Sequence, residues 1–180
     1  MLILIILTGC GKETTHLQTD VATSTLAMST CEITSQGIGK IFLTDTKESV
    51  LKRIPTVKFE NAADGEGVEW LIATYEGITI LIPEDGFSYL QVEDGMCKTK
   101  AGAAVGMNVA QLEKIYGKAL KVESNDANAE EEVIFEKASK NISFKGYDLG
   151  NFQESQPDSH TTKKINLNGT VGIISVSAGK

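Results

Sequence analysis

Apolar residues along this chain follow two rhythms. Short runs alternate with polar residues at the period of a strand, and two stretches carry apolar residues at the spacing of one helix face. Val68 to Tyr75 and Ile78 to Ile82, split by Glu76-Gly77, predict a hairpin. Phe87 to Val92 predicts a third strand. Glu132 to Phe135, Ile142 to Phe144 and Val171 to Val176 predict three more, with a polar insertion from Asp148 to Lys164. The helical stripes are Val50, Leu51 and Ile54, then Val109, Leu112, Ile115 and Tyr116. Each is too short to stand alone and needs a sheet to lie on.

The two helical stretches resemble each other. Ile41 to Pro55 aligns with Ala103 to Gly117 at an offset of 62, so that Thr46 matches Asn108, Val50 matches Leu112 and Ile54 matches Tyr116. Asn108 with Gln111, and Asp45 with Glu48, have the spacing of a capping box, and Pro55 and Gly117 act as breakers. The expectation is an α+β domain: a tandem repeat of one short helix plus about three mostly antiparallel strands, with the helices packed on one face of the sheet. The halves would be about 31–96 and 97–180, with Cys31 and Cys97 near their starts. On the first strand Leu71, Ala73 and Tyr75 face one way while Trp70, Ile72 and Thr74 face the other. Alternation does not say which set is core.

The start of the chain has a different character. Residues 1–9 are almost wholly apolar and run into Leu7-Thr8-Gly9-Cys10. This resembles the lipobox of bacterial lipoprotein precursors, in which the signal is cut before the cysteine and that cysteine is acylated. The resemblance makes 1–9 a signal peptide and Cys10 the lipidation site. The run is far shorter than the ~20 residues of a membrane-spanning helix, and the missing positive leader implies a natural start farther upstream. Residues 11–30, rich in Thr, Ser and Ala, read as a flexible tether with a reach of about 25 Å. Gly11, where a retained inner-membrane lipoprotein tends to carry Asp, leans toward the outer membrane by the same resemblance.

What remains, 31–180, is long enough for one domain. A net charge of −7 and a pI of about 4.9 argue against nucleic acid as a partner and against binding anionic headgroups through a basic face. Outside Cys10, the cysteines are Cys31 and Cys97. An oxidising compartment favours a disulfide between them over two buried thiols.

The pattern of Val105 to Gly117, V-G-M-x-x-x-x-L-x-x-x-Y-G, and the Gly37 to Leu43 lead-in resemble motifs of uncharacterised bacterial envelope lipoproteins. More distantly they resemble modules of the SmpA/OmlA outer-membrane assembly lipoproteins and of β-lactamase-inhibitory protein. The resemblance implies action by binding another protein, without catalysis.

Candidate chemistry is sparse. His16 and His160 are the only histidines, one in the tether and one in the polar insertion, so a nucleophile with a histidine base would have to use His160. No phosphate loop, dinucleotide fingerprint or zinc spacing appears, and the stretch from Asp126 to Glu130 lacks the glycine and closing Glu of a calcium loop. No catalytic residue, metal or cofactor is therefore assigned. Trp70, Tyr75, Phe87 and Tyr89 are the candidate partner contacts. The leading expectation is a membrane-anchored, non-enzymatic envelope lipoprotein that binds an envelope protein in assembly or inhibition. The alternatives are a small-molecule or glycan binder and a carboxylate-based hydrolase.

Overall fold

The computed structural model describes residues 31–63, 69–83, 89–125, 130–152 and 160–178, with only the backbone of Pro83 and Asn125. The elements run β1 (Glu32–Thr34), β2 (Gly37–Ile38), β3 (Ile41–Phe42), α1 (Lys47–Arg53), β4 (Glu60–Ala63), β5 (Glu69–Tyr75), β6 (Ile78–Pro83), β7 (Tyr89–Val92) and β8 (Lys98–Thr99). There follow α2 (Val109–Tyr116), β9 (Ala119–Asn125), β10 (Glu130–Phe135), β11 (Ile142–Tyr147), β12 (Thr161–Thr162) and β13 (Thr170–Ser177).

This overturns the expected α+β tandem repeat. The described residues are mostly strand, in a nine-stranded sheet of order β12-β9-β10-β11-β13-β7-β6-β5-β4 and a four-stranded sheet of order β3-β2-β1-β8. The helices hold only 7 and 8 residues and do not make a layer of their own. Three strands per half was an undercount, because β1 to β4, β8, β9 and β12 are short or polar. Strand β9, ALKVESN, is held by pairing to β10, and Leu120 is squeezed out of register between the pairs Ala119↔Phe135 and Lys121↔Ile134.

Every pairing in the large sheet is antiparallel. Strands β4 to β7 form one meander, β9 to β11 another, and β13 joins them at β7. The β5–β6 hairpin forms where the polar pair Glu76-Gly77 interrupts two alternating runs. Both turn residues have positive φ, 48° and 76°, which matches the strand twist and suits glycine.

One face of the large sheet carries Ala73, Ile78, Ile80, Leu90, Val92, Val133, Phe144, Ile174 and Val176. The layer over it is composite: Ile33, Ile38 and Ile41 from the small sheet, Val50 and Ile54 from α1 and its C-cap, and Val109 and Leu112 from α2 join the same core. Cys31 and Cys97 are joined by a disulfide beside the parallel β1–β8 pairing, where the Lys98 N–H donates to the Cys31 carbonyl at 3.0 Å.

Helix α2 is capped as its spacing predicts: the Gln111 N–H donates to Asn108 Oδ1 and the Asn108 N–H to Gln111 Oε1, both at 2.9 Å. For α1 the expected pair Asp45 and Glu48 is corrected by one residue, to Thr46 with Ser49. Asp45 lies outside the helix and takes four donors: the Phe42 N–H at 2.8 Å, the Ser49 hydroxyl at 2.7 Å, and Arg53 through both Nη atoms at 2.7 Å. Burial acting alone would raise the Asp45 pKa, but these donors and the Arg53 charge overcome it and lower it to about 2.

A lowered carboxylate pKa gives stability that is complete above the unfolded value and lost as pH falls through the folded one. From 3.8 to about 2, at 1.36 kcal/mol per pH unit, the contribution is about 2 kcal/mol. Asp45→Asn is expected to lower stability by about that amount at pH 7 and by little near pH 2. Urea midpoints at several pH values test this, and a constant difference down to pH 2 would refute it.

Candidate functional site

The core leaves the other face of the nine-stranded sheet without a covering layer among the described residues. Register defines what it displays. Ile72 pairs with Leu81, Leu81 with Tyr89 and Tyr89 with Ser177, making an apolar row that ends on a small polar residue. The next row is polar throughout: Thr74, Thr79, Gln91, Ser175 and Ser143 stand opposite one another across five strands. The third row crosses the second meander as Ile173, Lys145, Glu132, Glu123 and Thr161. Trp70 belongs to the same face, cross-strand to Ala62 and Pro83. Trp70, Ile72, Leu81, Tyr89, Ile134 and Ile173 are all partly exposed and stand outside the packed core.

One long side chain organises the centre. The Lys145 ammonium donates to Glu130 Oε2 at 2.6 Å and lies 5.4 Å from the centroid of the Tyr89 ring. Strand β13 runs between the strands that carry Lys145 and Tyr89, so the lysine reaches across it. Ser175 on that strand is buried although it belongs to the open face. Burial acts to lower the Lys145 pKa, but the Glu130 carboxylate and the Tyr89 hydroxyl reverse this, and the net shift is upward. The ammonium stays charged. Tyr89, Ser143, Ser177, Lys145, Glu123 and Glu132 are among the walls of a depression of about 310 Å³.

The sequence-derived candidates divide. Trp70 and Tyr89 lie on the open face. Tyr75 does not, because it shares the core side with Ala73 and Ile78 and packs against the core, its hydroxyl donating to Glu76 Oε1 at 2.7 Å. Phe87, Cys10, His16 and 126–129 lie outside the described residues. His160 is exposed beside β12, its carbonyl accepting from the Ser124 N–H. Among the described residues there is no group of three or more His, Cys, Asp or Glu that could hold a metal ion.

Lys145, Glu123, Glu130 and Glu132 were missed by sequence reasoning. The alternation of Glu130, Glu132 and Ile134 carries the signal for three residues sharing a face. Nothing in sequence says that this face is the open one. Glu131, between them, points the opposite way, and its carboxylate accepts the backbone N–H groups of Leu149 and Gly150.

No known protein family matches the chain. No curated protein matches it either. Among solved structures, the chain is similar to the uncharacterized protein yfeY from Escherichia coli, with a TM-score of 0.57 and 16% identity over 82% of this chain and 99% of that one. That likeness shows a shared fold. It carries over neither an activity nor a partner.

Proposed function

We propose that this chain is a lipid-anchored protein of the bacterial envelope, held at the outer membrane through Cys10, and that its domain is a non-enzymatic docking module for another envelope protein. The observation that supports docking most is the open sheet face with Trp70, Ile72, Leu81 and Tyr89 in partial exposure. Aromatic and aliphatic side chains on a rigid sheet are what an interface core requires, because they bury area at little cost in side-chain entropy. Nine strands at ~4.8 Å spacing make a surface roughly 40 Å across, wide enough for the ~800 Å² that each partner contributes to a standard interface. The chain's net charge of −7 disfavours close approach to an anionic surface.

Two experiments address the two halves of this reading. Cys10→Ser is expected to move the protein from the membrane fraction to the soluble fraction, and retention on the membrane would refute the anchor. For the docking module, crosslinking in intact cells followed by capture of the tagged full chain should recover an envelope protein in near-stoichiometric amount. Recovery should fall about tenfold or more in Trp70→Ala/Leu81→Ala, since interface anchors of this kind are worth upward of 1–2 kcal/mol each. Equal recovery from the double variant would remove the face from the account.

A second reading has one observation behind it. The depression around Tyr89, Ser143 and Lys145 gathers an aromatic ring and several polar groups, which suits a small molecule or glycan. Saturation-transfer NMR with envelope oligosaccharides distinguishes it from protein docking.

A further inference from the structure

A strand at the end of a sheet presents N–H and C=O groups on its outer side, and these are a template for a further strand. Three of the four ends here are too short to guide one, because β3, β8 and β12 hold two residues each. The stretch of β9 that β12 leaves uncovered carries the Leu120 irregularity, which interrupts a ladder. Strand β4 differs. Its four residues, Glu60 to Ala63, pair with β5 in unbroken register and include neither proline nor lysine. No other strand meets their outer side among the described residues. Glu60, Asn61 and Ala63 are exposed.

Both faces beside β4 offer an apolar seat. On the open face Ala62 stands cross-strand to Trp70, and so small a side chain leaves the indole within reach of a residue on the next strand out. On the opposite face Asn61, Leu71 and Ile82 form one cross-strand row. With Glu69 and Trp70 they line a depression of about 210 Å³, and Leu71 and Ile82 are partly exposed. Edge backbone groups set the shape of what binds there, and seats on alternate faces set its side chains; an extended peptide satisfies both. Resting on the docking reading above, we infer that a segment of the partner adds to β4 as a tenth strand. Its side chains are apolar at two successive positions, one over Ala62 against Trp70 and the next over Asn61 toward Leu71 and Ile82. A second copy of this chain fits less well. A four-residue ladder falls far short of the ~800 Å² that each side of a standard interface buries, and a copy paired in the plane of the sheet leaves the face from Trp70 to Tyr89 bare. Each copy also carries a net charge of −7.

The test uses the full chain in its own cells with a short-range diazirine amino acid placed in turn at Glu60, Asn61, Ala62 and Ala63, and at Leu81 to report docking itself. Light should join every position to the same partner protein. Mass spectrometry of the adducts from 60 to 63 should find attachment points that advance one residue at a time along a single partner segment, as a strand in register requires. Neighbouring amides on a strand face opposite sides, so one of Asn61→Pro and Ala62→Pro removes an outward donor. That variant should cut the Leu81 adduct several-fold with little change in melting temperature. Adducts from Leu81 with none from 60 to 63, or attachment points scattered over the partner, would overturn the inference and leave the docking face standing. Adducts to a second copy of this chain would overturn it in favour of self-pairing. No adduct from any position would remove the docking reading, and this inference with it.

Discussion

Phe144→Ala is expected to lower the stability of the domain by about 3–5 kcal/mol, the cost of removing a large aromatic from a packed core that cannot collapse around the void. Phe144 is fully buried on β11. Its ring makes an edge-to-face contact with Phe135 at 5.6 Å and a tilted one with Tyr116 at 5.1 Å. Tyr116 in turn donates to Thr99 Oγ1 at 2.7 Å, and the same oxygen accepts the Ala103 N–H. The cluster therefore ties α2 to the large sheet and to β8. Loss of this order is a large share of the roughly 5–15 kcal/mol that holds a domain together. Urea denaturation with a linear fit gives the value. A loss below about 1 kcal/mol would mean that β10 and β11 are not packed as described.

The second large effect concerns the disulfide. Cys31 and Cys97 stand 66 residues apart, and the bond closes a loop containing α1 and all strands from β1 to β7. In the chain-entropy model a closure of that length stabilises the fold by about 4 kcal/mol. Cys31→Ala/Cys97→Ala should lose about that amount, and reductant should bring the unaltered chain to the same urea midpoint while leaving the double variant unmoved. A midpoint insensitive to reductant would contradict the bond or its contribution. The bond also has a positional consequence. It fastens Cys31, just before β1, to Cys97, just before β8, and so braces the start of the small sheet against the second half of the chain.

Much of the strand content could be read in the sequence, because central strands alternate cleanly. The hairpin through Glu76-Gly77 and the strands around Leu90, Val133, Phe144 and Ile174 sit where period-two patterning places them. The cap of α2 was legible for a local reason, since Asn108 and Gln111 need only each other. That of α1 slipped by one because Asp45, which has the right spacing, is drawn to Arg53 and the Phe42 amide.

Fold class was not legible. A seven-residue helix and an eight-residue helix gave a periodic signal out of proportion to their share of the chain, whereas pairs such as Lys98–Thr99 or Thr161–Thr162 become strand only through a neighbour far away in the chain. The site was half legible. Alternation placed Trp70, Ile72 and Thr74 on one face without saying that it is the open one. That decision belongs to the composite layer that buries Ala73 and Ile80. Lys145 and Glu130 find each other only through strand pairing, so no local pattern marks them.

On the docking reading proposed above, the face bearing Trp70, Leu81 and Tyr89 is covered by a partner in the envelope. Hydroxyl-radical footprinting of the full chain, in intact cells and as purified protein, tests it most directly. Phe42, 43% exposed and stacked at 5.2 Å beneath Arg53 on the small sheet, serves as the internal reference. Oxidation of Trp70 and Tyr89 relative to Phe42 should fall several-fold in cells. Equal ratios in the two preparations would contradict it.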